Sequence, residues 1–284
     1  MKKIIFIAAV LSVAFFSCKR EKSIDSTTGT TGTPVFLGTN CRISQVLNVD
    51  SLSSIGLEAH NIFFNSTGVA TRVQLIDSIT NDVYLNDSYT YKGDTIFIAG
   101  VGYLLKNNTT GRISLFRGLE DPTDPLSDTI IINFTYNTSG FLTKAEYAYT
   151  FLPVTVLRST YTYTGNNLTK ARTDVLAPSF ETVITSDLEY TSQPVRDFIY
   201  TIPDAYYTYP YLPAFNFGNK SANALKKVTT RYFDNGVATD SAITTYKNFR
   251  LSADGYVLEF YADGDLQDGM GIYDGRTKFK YFCR

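Results

Sequence analysis

The 284-residue chain contains no tryptophan, a single histidine, two methionines and three cysteines. One histidine leaves no His-Glu-x-x-His zinc motif, and no G-x-S-x-G elbow, phosphate loop of the G-x-x-x-x-G-K type or dinucleotide fingerprint occurs. The lone His60 precedes the strand-like run Asn61 to Asn65, where a strand-end role outweighs a catalytic one. Charge is scarce as well. Charged residues make up 19% of the chain and the formal net charge is −1, so no broad attraction for phosphate backbones exists and nucleic acid is excluded as a partner. The longest apolar run, Ile4 to Phe16, spans 13 residues broken only by Ser12. It falls short of the roughly 20 residues that a membrane-spanning helix needs. Sustained helical periodicity is missing too. Asn40 to Ala59 is the doubtful stretch, with Ile43, Val46 and Leu47 at helix-like spacing, and it is read as strand.

The N-terminus carries an export signal. Lys2 and Lys3 open a basic start, the apolar run follows, and Ser17 precedes Cys18, which together read as a signal peptide over residues 1–17. Phe15-Phe16-Ser17-Cys18 resembles the bacterial lipobox, which implies acylation of Cys18 and a mature chain anchored in a membrane through N-terminal acyl chains. Lys19 after that cysteine, with no aspartate there, resembles lipoproteins sorted to the outer membrane. Residues 18–34 lack hydrophobic periodicity and end in a Thr/Gly tract, so they read as a flexible tether. A single antiparallel β domain is expected over 35–284.

Once Cys18 carries lipid, Cys41 and Cys283 remain, 242 residues apart. An oxidising compartment favours a disulfide between them, closing the domain end to end; two buried free thiols are the alternative. A two-cysteine metal site lacks further ligands.

The chain is rich in tyrosine (21) and phenylalanine (20), residues that favour strands. One unit recurs: an aromatic, a short polar stretch with glycine, then an apolar residue and often Thr-Lys or Thr-Arg. Its clearest copies begin at Phe64, Tyr136 and Tyr163, with weaker ones around Gly93, Gly111, Gly236 and Gly255. Each glycine supplies the positive φ of a hairpin turn, and the flanks alternate with period 2. Ile130, Ile132, Phe134 and Tyr136 fall on one face, with Ile131, Asn133 and Thr135 on the other. The fold class is therefore all-β: a long antiparallel meander of hairpins closing into a barrel-like or two-sheet structure, because so wide a flat sheet would leave apolar faces and edges exposed.

Over roughly Ile62 to Tyr261 the repeat resembles the Tyr-rich, Gly-turn hairpins of YD-repeat shells. More closely it resembles a family of outer-membrane-targeted lipoproteins of unknown function with a porin-like fold. The resemblance implies architecture and no active site. A lipid-facing barrel wants Leu, Val and Phe alternating in every strand, whereas here Tyr alternates with Thr. The reading is a soluble domain with lipid as its anchor.

Three features could carry chemistry. Six glutamates, among them Glu120, Glu146 and Glu259, could supply an acid–base pair, but such a pair is defined by spatial separation. Asp263, Asp265 and Asp268, with two glycines in the same seven residues, offer the oxygen ligands that calcium takes on a flexible turn. Residues 204–219 set Tyr206, Tyr207, Tyr209, Tyr211, Phe215 and Phe217 among prolines that forbid a central strand. This connection either folds back as a plug or presents an aromatic ligand-binding platform. The expected function is that of a lipid-anchored cell-envelope protein at the outer membrane, non-enzymatic and without a cofactor, binding a glycan or an envelope protein. The alternative is a carboxylate-dependent hydrolase of envelope or extracellular polysaccharide.

Overall fold

A computed structural model describes residues 37–284 apart from 39, 50–57, 122, 123, 125, 153, 177–182, 203–208 and 265–273. The leader, Cys18 and the tether lie outside the described residues. Glycines at 68, 93, 111, 140, 165, 236 and 255 all have positive φ, from 59° to 91°. Every recurring turn of the sequence is therefore a hairpin bend. The strands they link are β1 (Cys41–Asn48), β2 (Glu58–Phe64), β3 (Ala70–Asp77), β4 (Val83–Lys92), β5 (Thr95–Ile98), β6 (Gly102–Lys106), β7 (Ile113–Leu119) and β8 (Thr129–Tyr136). The second half comprises β9 (Leu142–Tyr149), β10 (Thr155–Thr164), β11 (Asn167–Val175), β12 (Val183–Pro194), β13 (Asn223–Asp234), β14 (Val237–Leu251), β15 (Val257–Gly264) and β16 (Gly275–Cys283).

Each strand pairs antiparallel with its neighbour in sequence, and β1 pairs with β16, so the meander closes into one 16-strand barrel. Of the two architectures left open by the sequence, the closed barrel is the one formed. The doubtful stretch after Asn40 contributes β1, as read. Closure removes the edges that an open sheet of this width would expose. At the seam Cys41 stands directly opposite Cys283, Cα atoms 4.1 Å apart, and the two sulfurs are bonded.

Alternation sorts the wall into two faces. Inward point Val73, Leu104, Phe116, Ile132, Leu168, Val228 and Phe260, each at most 2% exposed. Several polar residues that turn inward are satisfied by their cross-strand partners: Ser159 with Thr173 (2.9 Å), Ser186 with Thr230 (3.0 Å), Asn48 with Thr277 (2.9 Å). Outward, in-register ion pairs stud the wall: Arg158–Glu146, Lys170–Asp187, Lys227–Glu189 and Arg250–Glu259. In a lipid-facing wall each Arg or Lys near the midplane would cost about 2–4 kcal/mol. Exposed in water such pairs cost nothing and contribute little. Along β9 to β15 the wall therefore carries charge on its outer face and apolar side chains on its inner one.

The lumen is filled by the chain itself. The described part of the connection between β12 and β13, residues 195–202 and 209–222, turns inward and buries Phe198, Ile199, Tyr200, Ile202, Leu212 and Phe217. Phe198 meets Phe249, Phe260 and Phe279 at centroid distances of 5.9–6.1 Å, and Phe217 meets Phe134 edge-on at 5.3 Å. This packing makes the described part of the connection a plug in the lumen.

Candidate functional site

The aromatic connection divides between two fates. Tyr211 and Phe217 are buried, and Phe215 is half-buried with its ring 4.9 Å from that of Tyr89. These residues belong to the plug and not to an exposed platform, because the barrel interior offers their rings more apolar contact than the surface does. Tyr206 and Tyr207 lie outside the described residues. The backbone of Tyr209 opens the 3₁₀ turn Tyr209–Tyr211.

That turn is pinned from two strands. The Tyr211 hydroxyl donates to Asp87 Oδ2 on β4 at 2.7 Å. Burial pushes the Asp87 carboxyl up, and the Tyr211 hydrogen bond opposes the shift. On β2, His60 donates to the Pro210 carbonyl. Burial lowers the His60 pKa from 6.5 to about 4, with that hydrogen bond acting in the opposite sense. His60 is therefore a neutral latch on the plug.

A pH dependence follows. Between pH 6.5 and 4 the unfolded chain binds a proton at His60 that the folded chain refuses, so stability falls as pH falls. The gap corresponds to about 3 kcal/mol at 1.36 kcal/mol per pH unit. Asp87 acts oppositely, because its raised pKa favours the protonated folded state. Urea midpoints at pH 7 and pH 4.5 should therefore differ less in His60→Gln than in the parent; an unchanged difference would remove His60 from the latch.

Where the plug meets the rim, one cleft opens. Its volume is about 840 Å³, and it lies between the plug residues Pro213 to Ala222 and the wall at Ala70, Tyr91, Ile96, Ile113 and Phe141. The plug is stitched to the turns beneath it: Ile113 N donates to the Asn216 carbonyl (2.8 Å), Asn219 N to the Gly140 carbonyl (2.9 Å) and Ala222 N to the Asn166 carbonyl (3.1 Å). Gly140 must stay glycine, because its φ is 87° and an added Cβ would press on the Arg112 guanidinium. Tyr91 stands at the mouth, 38% exposed, its hydroxyl donating to the Ala70 carbonyl (2.6 Å). Burial pushes this phenol up to about 12, with Arg42 opposing. Among the described residues, Asp197 is the cleft's single carboxylate, bonded to Lys220 at 2.7 Å; Arg42 and Lys106 add two more cations.

The fold has relatives among solved structures. A porin-like protein from Bacteroides uniformis ATCC 8492 superposes with a TM-score of 0.52 at 14% identity, over 84% of this chain and 96% of that one. A porin-like protein from Bacteroides vulgatus ATCC 8482 gives 0.51 at 12% identity, over 84% and 98%. The fold is a porin-like barrel. No family model and no curated protein sequence matches the chain. At such identities the likeness concerns the barrel alone.

The remaining sequence candidates scatter. Asp263, at the end of β15, bonds Lys247 Nζ at 2.7 Å, while Asp265 and Asp268 lie outside the described residues. No group of three His, Cys, Asp or Glu side chains with metal-holding geometry occurs among the described residues. Glu146 and Glu259 are outward partners in wall ion pairs. Tyr91, Lys106 and Phe141 were not singled out by sequence. Only barrel closure and the inward turn of the plug bring them together.

Proposed function

We propose that the protein is a lipid-anchored envelope scaffold whose rim cleft binds a glycan or an envelope partner without transforming it. The observation that carries this reading is the cleft itself: a concavity of about 840 Å³ in which the aromatic residues Tyr91 and Phe141 converge with Asn216, Asn219 and the cations Arg42 and Lys106. Asn216 and Asn219 offer amides and Tyr91 a partly exposed ring, the combination that polyhydroxylated ligands use. The plugged lumen argues against conduction. The hydrolase alternative needs two carboxyl groups about 5–10 Å apart in a cleft. Asp197 stands there with a cation as its partner, which favours binding. The porin-like fold fits an envelope protein, and the lipobox-like Cys18 supplies the anchor and the outer-membrane location.

The test is titration of the unacylated chain against a panel of glycans and envelope polymers, beside Tyr91→Ala/Asn216→Ala. Binding in the parent and a loss of about tenfold or more in a variant that keeps its urea midpoint supports the cleft. Equal binding by both proteins moves the site elsewhere. Release of reducing ends from any polymer would restore the hydrolase.

A further inference from the structure

The barrel has a polarity of charge that follows from its topology. β1 enters and β16 leaves at the same rim, the one carrying the tight turns after β2, β4, β6, β8, β10 and β14. In barrel order, the strand ends and turns from β16 round to β7 present Arg284, Arg42, Lys92, Lys106 and Arg112 at this rim. Arg42, Lys92 and Arg284 are exposed; Lys106 and Arg112 are half-buried. Two of these cations are fixed by turn carbonyls: Arg42 donates to Gly68 O (3.1 Å) and Arg284 to Ser66 O (3.3 Å). Against them, the described residues of this rim include Asp94, Asp197 and Asp254. Asp197 is paired with Lys220, and Asp254 accepts from the backbone of Leu37 and Gly38. The opposite rim is acidic, with Asp77, Asp82, Glu120, Asp121, Asp124 and Asp128 on just two of its loops.

We propose that the basic arc from β16 to β7 rests on a membrane surface bearing anionic headgroups, with the acidic rim pointing away. The described chain ahead of β1 lies at this same rim, where Gly38 N is held by Asp254 Oδ2 on the turn after β14 at 2.8 Å. Cys18 lies 19 residues before Leu37, a span of up to roughly 65 Å when extended, so an anchor alone would leave the barrel free to turn. Basic side chains near an anionic surface supply the orienting force, and it acts only within a Debye length of about 8–10 Å. Cations at the rim are within that reach of a surface beneath it, and acids on the far rim are not. The cleft then opens toward the membrane. The inference deepens the envelope reading but needs no acyl chain, so its failure is separable from that of the anchor, which fatty-acid labelling at Cys18 reports.

The experiment is co-sedimentation of the unacylated chain from residue 19, whose strands all lie between Cys41 and Cys283, with phosphatidylcholine vesicles with and without phosphatidylglycerol. The parent should bind the anionic vesicles at low salt and leave them at high salt. Lys92→Glu/Lys106→Glu/Arg284→Glu should weaken binding about tenfold or more. Arg158→Glu/Arg172→Glu/Arg231→Glu, an equal charge change on the wall farther from this rim, should stay within about twofold. Lys92→Glu alone carries the comparison should the rim triple unfold. No binding by the parent, or an equal loss in both triples, overturns the proposal; capture by a soluble anionic polymer in place of vesicles overturns it too.

Discussion

Replacing Cys41 and Cys283 with serine should lower the unfolding free energy by about 5 kcal/mol. The bond closes a loop of 242 residues, and the chain-entropy model puts that closure at about 5 kcal/mol relative to the open denatured chain. The position of the bond adds a structural consequence. It joins the first residue of β1 to the last of β16, so it secures the one neighbouring pair of strands in the barrel that are not consecutive in sequence. Every other neighbouring pair is linked by a connection in sequence; β1 and β16 meet only after the whole meander has formed. Without the bond, the seam should open before the rest, with amides of β1 and β16 exchanging faster than those of β8 and β9. Urea midpoints of parent and double variant, read with hydrogen exchange under oxidising and reducing conditions, check both points. A double variant with the parent's midpoint would mean that the seam is held by its own ladder and by the burial of Ile43 and Phe279.

The parts legible in the sequence are those set by local chemistry. The turn glycines 68, 93, 111, 140, 165, 236 and 255 announced their bends, because only a residue without a Cβ takes positive φ freely. The alternation at Ile130, Ile132 and Phe134 announced an inward face, and these residues are buried. Which rim a turn occupies was not legible. Gly236 joins β13 to β14 at the rim opposite the other six, and that depends on counting every strand between them. The start of the plug was hidden for another reason. Phe198, Ile199 and Tyr200 lie before the Pro-rich aromatic stretch and read like any short apolar run, though they form the centre of the lumen. The cleft was invisible because Tyr91 and Phe141 owe their proximity to the plug's inward turn. His60 drew notice only for being single, and its burial against Pro210 gives it a structural task.

Phe217→Ala should destabilise the protein by about 3–5 kcal/mol, the range for a buried aromatic whose site cannot collapse. The side chain is fully buried, its ring 5.3 Å from Phe134 and 6.2 Å from Tyr200. The surrounding wall is a closed ladder that cannot move inward to fill the void, so the cavity term should persist. The Phe217 amide donates to the Tyr200 hydroxyl (3.0 Å), which itself donates to the Gly218 carbonyl (3.0 Å). Loosening the ring therefore also loosens the hydrogen bonds that hold the floor of the cleft, and ligand binding there should weaken together with stability. Phe63→Ala is the control: its ring lies on the outer face, 37% exposed under the Arg72 guanidinium, and its loss should cost under about 1 kcal/mol. Denaturant midpoints of the two variants decide the role of the connection. Equal midpoints would mean that Phe217 is not part of the core, and the aromatic connection would return to being a recognition surface. A large loss for Phe217 beside a small one for Phe63 makes the plug the element that converts a wide barrel into a solid one.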